Sequence, residues 1–161
     1  MEWLDFSHSQ RDRPAPTFRL ESSRREPVAF SDYRGRRNLV VLFLPGLDCP
    51  GCRTVLENFA DRYSAYRERA AEVLAVISGP GAPSALEETY PFPLLADPDG
   101  AARQAYGALL PTPVPDHQSI VFILDRYRAP YIAWTGPDPG NPALQDEFLD
   151  WLDFIEFQCP E

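Results

Sequence analysis

Cys49 and Cys52 stand in "LDCPGC", with Pro50 and Gly51 between them, just past the apolar run "LVVLFL" at 39–44. Two thiols at this spacing can carry out disulfide exchange: one thiolate attacks a bound disulfide and the second releases it. The same spacing is also half of a tetrahedral metal site. Zinc needs about four ligands. Cys49, Cys52, Cys159 and His117 are the set on offer, and no second Cys-x-x-Cys exists to complete the usual pattern. A third reading is two inert thiols packed as small hydrophobes. The cysteines number three, an odd count that suits a disulfide-stapled extracellular scaffold poorly. In a reducing compartment a close pair points to redox chemistry or metal binding, and the missing second pair favours redox, with no metal and no other cofactor.

The surrounding elements place the pair where such chemistry is usually built. "LVVLFL" is a continuous β-branched and apolar run, as expected of a central strand buried on both faces. A helix follows from about Pro50, with Val55, Leu56, Phe59, Tyr63 and Tyr66 at helical spacing. The pair therefore falls at the C-terminal end of a strand and the N-terminus of a helix, the edge where open α/β sheets hold their ligands. Free helix N–H groups and the positive end of the dipole favour a thiolate there. Arg53 acts in the same direction and Asp48 opposes it, whereas Glu57 lies more than a turn beyond Cys52 on the solvated face.

Short proline-rich loops punctuate the rest of the chain. Residues 17–20 and 27–30 read as an N-terminal hairpin around "ESSRRE", and residues 72–78, 92–97, 119–125 and 131–134 as further strands, the last two paired. Helices are expected over 82–90, over 101–109, and over 143–157, where Leu144, Phe148, Trp151, Leu152 and Ile155 form one stripe. This order predicts one α/β domain over residues 1–161: a three-layer sandwich with a central mixed sheet flanked by helices, closed by a C-terminal helix and tail at 143–161.

Composition excludes several classes. A formal charge of −9 argues against nucleic acid. All 15 basic residues are arginine, so Schiff-base chemistry on a lysine amine is ruled out. The longest apolar run is strand-sized, which predicts no membrane span. The start "MEWLDFSHSQ" has neither a basic nor an apolar leader region, so the sequence predicts a cytoplasmic location.

"DRPAPTFRL" (12–20), "FSDYRGRRNLVVLFLPG" (30–46), "AAEVLAVIS" (70–78) and "YPFPLLADPDGAARQAYGAL" (90–109) resemble, in order, the alkyl hydroperoxide reductase/thiol-specific antioxidant (peroxiredoxin-like) branch of the thioredoxin fold. The resemblance covers about residues 12–135. It implies a thioredoxin-like fold and a thiol-dependent antioxidant enzyme acting on peroxides or disulfides. A thioredoxin-type dithiol would be its electron donor, and a homodimer its assembly. Peroxiredoxins resemble one another at a proline, a hydroxyl residue four positions on, and the peroxidatic cysteine three further. Pro45, Cys49 and Cys52 fall on that frame, which makes Cys52 the attacking sulfur and Cys49 the resolving one. The thioredoxin register instead makes Cys49 the nucleophile of a disulfide reductase.

Both templates are incomplete in this chain. Where peroxiredoxins place an arginine before the strand equivalent to "IVFILD", this chain has His117, Gln118 and Ser119, while Arg126 and Arg128 lie beyond that strand. His117 is a candidate polarising or proton-transfer group. The nearest proline to the thioredoxin cis-proline is Pro115, and Phe43 stands where many thioredoxins carry a buried acid. Cys159 is a candidate resolving thiol on a C-terminal tail, within one subunit or across two. A reading of another class, a non-catalytic redox-sensing or binding module, also fits the missing arginine.

Overall fold

A computed structural model of the chain describes residues 2–6, 10–23, 26–46, 50–79 and 90–158. Its centre is β4 (Asn38–Leu44), every residue of which is buried. The strand pairs in parallel with β5 (Ala71–Ser78) and antiparallel with β7 (Ser119–Leu124). β6 (Leu94–Asp97) extends the parallel side beyond β5. β8 (Pro130–Gly136) extends the antiparallel side, so the hairpin expected for the last two strands is present. The sheet order among the described residues is β1-β8-β7-β4-β5-β6. The expected mixed sheet is therefore present, flanked by helices on both faces.

One strand was not legible in advance. β1 (Glu2–Asp5) pairs antiparallel with β8, in a register that sets Trp3 against Trp134. Its sequence, "EWLD", is too short and too acidic to announce a strand by pattern; cross-strand partners supply what local propensity lacks. The N-terminal hairpin is shorter than expected: β2 (Arg19–Leu20) and β3 (Val28–Ala29) pair for two residues each. It covers the β6 edge through the Ser22–Leu95 bridge and a hydrogen bond from Ala96 N–H to the Glu21 carbonyl. An exposed strand edge is thereby capped. The expected helix over 82–90 falls almost wholly outside the described residues, with only Tyr90 inside.

The alternation of β4 builds two apolar layers. Val40, Leu42 and Leu44 face α1 (Pro50–Asp61), α2 (Tyr63–Glu68) and α4 (Pro142–Gln158), in a cluster with Leu56, Phe59, Tyr66, Trp134 and Phe148. Leu39, Val41 and Phe43 face α3 (Ala101–Gly107), in a cluster with Phe30, Tyr106 and Phe122. The helix read as continuous from Pro50 is interrupted at Arg62, so Tyr63 and Tyr66 belong to a second short helix.

Polar bonds fix the layer that carries α1. The buried Tyr66 hydroxyl donates to Gln145 Oε1 at 3.0 Å, and Gln145 Nε2 donates to the carbonyls of Gly140 (3.0 Å) and Asn58 (3.3 Å). Burial drives the Tyr66 phenol well above its ordinary pKa, so it stays a neutral donor. At Gly140 the β8–α4 loop passes so close to α1 that a Cβ would lie 3.1 Å from Val55 Cα and 3.3 Å from Asn58 Cβ. Gly140→Ala should therefore destabilise the protein by about 1–3 kcal/mol, the usual cost of overpacking. Urea unfolding followed by far-UV circular dichroism would measure it, and an unchanged midpoint would show that this approach is not tight.

Candidate active site

Cys52 lies in the first turn of α1, at the C-terminal edge of β4, where the sequence places it. Only 3% of its surface is exposed. It belongs to the apolar cluster that also holds Leu44, Val55, Leu56, Tyr90 and Phe92. Arg53, the next residue, is exposed. Pro45 ends β4 and is half-buried. Cys49 and Cys159 lie outside the described residues, so the described part of the pair is Cys52.

Sequence reasoning missed Tyr90. It is buried beside α1, stacks on Phe92 at 5.9 Å between ring centres, and shares the Cys52 cluster. Burial is the largest influence on its phenol and pushes the pKa up; Glu57 pushes the same way, and Arg53 opposes both. Both of those residues belong to α1, the helix that carries Cys52. It opens "YPFP", a stretch whose aromatic content signalled packing rather than chemistry.

His117 is exposed in the loop before β7. Ser119 opens β7 and is buried. Strand alternation puts Ser119 on the same face as Val121 and Ile123, which are members of the Cys52 layer. The side chain at the start of β7 is thus a small hydroxyl where the resemblance calls for a cation. Arg126 instead pairs with Glu156 at 2.6 Å, and Arg128, at φ 63°, donates from Nε to the Ala15 carbonyl. Both lie past the far end of β7. Among the described residues no cluster of three or more His, Cys, Asp or Glu is arranged to hold a metal. Among them, too, no helix is long and apolar enough to cross a membrane.

A second feature sits at the same edge on the opposite face of the sheet. A groove of about 890 Å³ runs between α3 and the 110–116 segment, with Pro45, Ser78 and Gly79 at the strand ends. Arg103 on α3 lines it. The Nη2 of this guanidinium donates to the carbonyls of Gln118 (2.6 Å) and Pro115 (3.1 Å), tying the loop before β7 to the helix. Asp97, buried at the end of β6, accepts the backbone N–H groups of Ala102 (3.1 Å) and Arg103 (3.0 Å) and so seats α3.

Comparison with known proteins agrees with this geometry. Alkyl hydroperoxide reductase E of Mycobacterium tuberculosis is 32% identical over 98 residues, covering 58% of this chain and 64% of that protein. The aligned stretch spans less than two thirds of that relative's length. Among solved structures, peroxidoxin BcpB from Mycobacterium tuberculosis superimposes with a TM-score of 0.74 at 21% identity, covering 89% of this chain and 96% of that one. A structure from Chlorobium tepidum, described as a thiol:disulfide interchange protein of the DsbE type, gives 0.69 at 23% identity, covering 86% and 95%. These two likenesses show a shared thioredoxin-type fold. The model of the AhpC/TSA family matches residues 12–128, which take in β2 to β7 with α1 to α3, including the strand and the helix that place Cys52: the chain belongs to the AhpC/TSA family.

Proposed function

We propose that the protein is a thiol-dependent peroxidase in which Cys52 is the attacking sulfur and Cys49 the resolving one. The observation that carries this reading is the nearly complete burial of Cys52 in the first turn of α1, at the active edge of an AhpC/TSA fold. A residue with 3% exposure admits a small molecule such as a peroxide more readily than a second protein, and the reading in which Cys49 attacks is separated from this one by the trapping experiment below. The relative's name, alkyl hydroperoxide reductase, supports peroxide as the substrate class.

The chemistry closes in three steps. The Cys52 thiolate attacks the O–O bond, one oxygen is transferred to sulfur as a sulfenic acid, and the other departs with a proton as water or an alcohol. The Cys49 thiol then displaces that hydroxyl, releasing water and forming the Cys49–Cys52 disulfide. A thioredoxin-type dithiol reduces the disulfide by two successive exchanges and leaves oxidised itself. Arg53, exposed and next to Cys52 in the chain, adds a positive charge at the start of α1 that in this reading favours the thiolate. Pro45 shapes the strand end beneath it. His117 is exposed on the loop before β7, and in this reading its role is at most proton transfer at the rim. Cys159 serves as a resolving thiol only if Cys49 does not. Ser119, in place of a cation, predicts a slower first step than an arginine-bearing relative achieves.

The test follows peroxide consumption with dithiothreitol for wild type, Cys49→Ser and Cys52→Ser. The proposal expects a sulfenic acid on Cys52 of the Cys49→Ser protein after one equivalent of peroxide, detected by dimedone adduct mass. A mixed disulfide trapped on Cys49 of Cys52→Ser, with insulin reduction and no sulfenate, would replace it with the disulfide-reductase reading. Absence of both activities in wild type would leave a non-catalytic sensing or binding module.

A further inference from the structure

The outer face of α4 carries a surface that no step at Cys52 uses. Five acidic residues lie along the helix, and three are bound to arginines of the same chain: Asp146 to Arg62, Asp153 to Arg69 and Glu156 to Arg126. Glu147 and Asp150 are exposed and have no ion pair among the described residues. These two carboxylates border a shallow hollow of about 270 Å³ whose remaining lining is Trp151 and Phe154. The two rings meet edge to face at 5.5 Å between centres. Phe154 is 42% exposed and Phe157, one turn on, 84%. Aromatic rings exposed together on one helix are a feature of contact surfaces, not of a helix face that only meets water.

The neighbours of the hollow decide the chemistry of its occupant. An apolar side chain seated on Trp151 would take Glu147 and Asp150 out of water without a partner, a cost that its own burial would have to offset. An anion would be repelled. A cation satisfies both carboxylates and is attracted by the ring faces as well. The chain uses this chemistry next door. Phe154 packs on Tyr131 at 6.3 Å, and the Tyr131 ring holds the guanidinium of Arg11 at 4.1 Å from its centre. Tyr131, Phe154 and Trp151 thus form one aromatic ladder, with an arginine over its first rung and two unpaired carboxylates beside its last. Arginine suits that last rung better than lysine, because its planar, weakly hydrated group stacks on rings and can reach two carboxylates at once. The hollow is too open to hold a free cation against water. A peptide segment would continue onto Phe157, which lies two turns from Asp150 on the same side of the helix. A second copy of the chain is disfavoured, because a charge of −9 makes two copies repel.

We propose that this face of α4 docks an arginine-bearing segment of a basic partner protein, with the guanidinium on Trp151 and Phe154 between Glu147 and Asp150, and the next part of the segment on Phe157. The surface belongs to α4 alone and is independent of the chemistry proposed for Cys52.

The test titrates the isotope-labelled full chain with the peptide Gly-Arg-Gly-Arg-Gly and follows the indole N–H of Trp151 and the amides of α4 by NMR. The comparison peptide carries citrulline, the neutral isostere, in place of each arginine. Saturable shifts confined to the surface from Glu147 to Phe157 are expected, with the citrulline peptide binding roughly tenfold more weakly. Phe154→Ala and Asp150→Asn should each weaken arginine-peptide binding by about three- to fivefold. Asp61→Asn removes an equal charge from an exposed position at the end of α1 and should stay within about twofold of wild type. If Phe154→Ala melts early, Asp150→Asn, at an exposed residue, carries the comparison. Equal binding of the two peptides would overturn the proposal, as would equal weakening by Asp61→Asn and Asp150→Asn, which would leave net charge as the only attraction. Absence of shifts at millimolar peptide, or shifts elsewhere, would overturn it too. A dimer of the wild-type chain alone that Phe154→Ala dissociates would give the face to a second copy and overturn the basic partner.

Discussion

Cys52→Ser is expected to abolish peroxide turnover, with a loss of roughly 10³-fold or more, while the protein stays folded. Removing the nucleophile of a covalent mechanism removes the pathway rather than slowing it, so the loss is far larger than any positioning effect. The substitution is nearly isosteric, but it buries a hydroxyl in an apolar cluster with Leu44, Val55 and Leu56. A stability cost of about 1–3 kcal/mol is therefore expected as well. Urea midpoints and stopped-flow peroxide consumption separate the two effects. Cys49→Ser should contrast sharply: one rapid equivalent of peroxide consumed, then slow turnover, because the first step is retained and resolution is lost. Rapid peroxide consumption by Cys52→Ser would show that the attacking sulfur lies elsewhere.

Tyr106→Ala carries the largest expected effect on folding. Its ring lies 5.0 Å from Phe122, 5.2 Å from Phe43, 5.7 Å from Phe30 and 6.5 Å from Phe18, centre to centre. Its hydroxyl donates to the Pro16 carbonyl. One side chain thus joins α3, the central strands and the N-terminal segment. Burial, the dominant influence, raises the phenol far above its usual range and keeps that donor protonated. Truncation to alanine should cost about 3–5 kcal/mol, as for other buried aromatics. A domain of this size has on the order of 5–15 kcal/mol to lose, so the midpoint temperature should drop by roughly 10 °C. Tyr106→Phe keeps the ring and removes only the hydrogen bond, so about 1–2 kcal/mol is expected. Thermal melts of the two variants would read the difference; equal losses would mean that the hydroxyl, rather than the ring, holds the junction.

The helix bearing Cys52 and the strand before it were legible because both are long and strongly patterned: β4 is apolar from Leu39 to Leu44, and α1 repeats at helical spacing. The family order of motifs extended that reading across β5, β6 and α3. Two kinds of feature escaped. β1 owes its existence to a partner at the other end of the chain, and nothing in "EWLD" encodes Trp134. Tyr90 and Arg103 escaped for a related reason. The first looks like a core aromatic and the second like an ordinary surface cation, and only tertiary placement sets one in the Cys52 cluster and ties the other to the loop before β7.

The pairing of β1 with β8 also imposes an order in time. On the ribosome, Trp3 emerges long before its partner Trp134, which follows only after β4, β5, β6 and β7 have been made. Until then the Trp3 segment has no sheet to join, and β8 will present an open edge as soon as it docks on β7. The edge closes only when β1 meets β8, so the ladder at that edge of the sheet joins the earliest made of its strands to the latest.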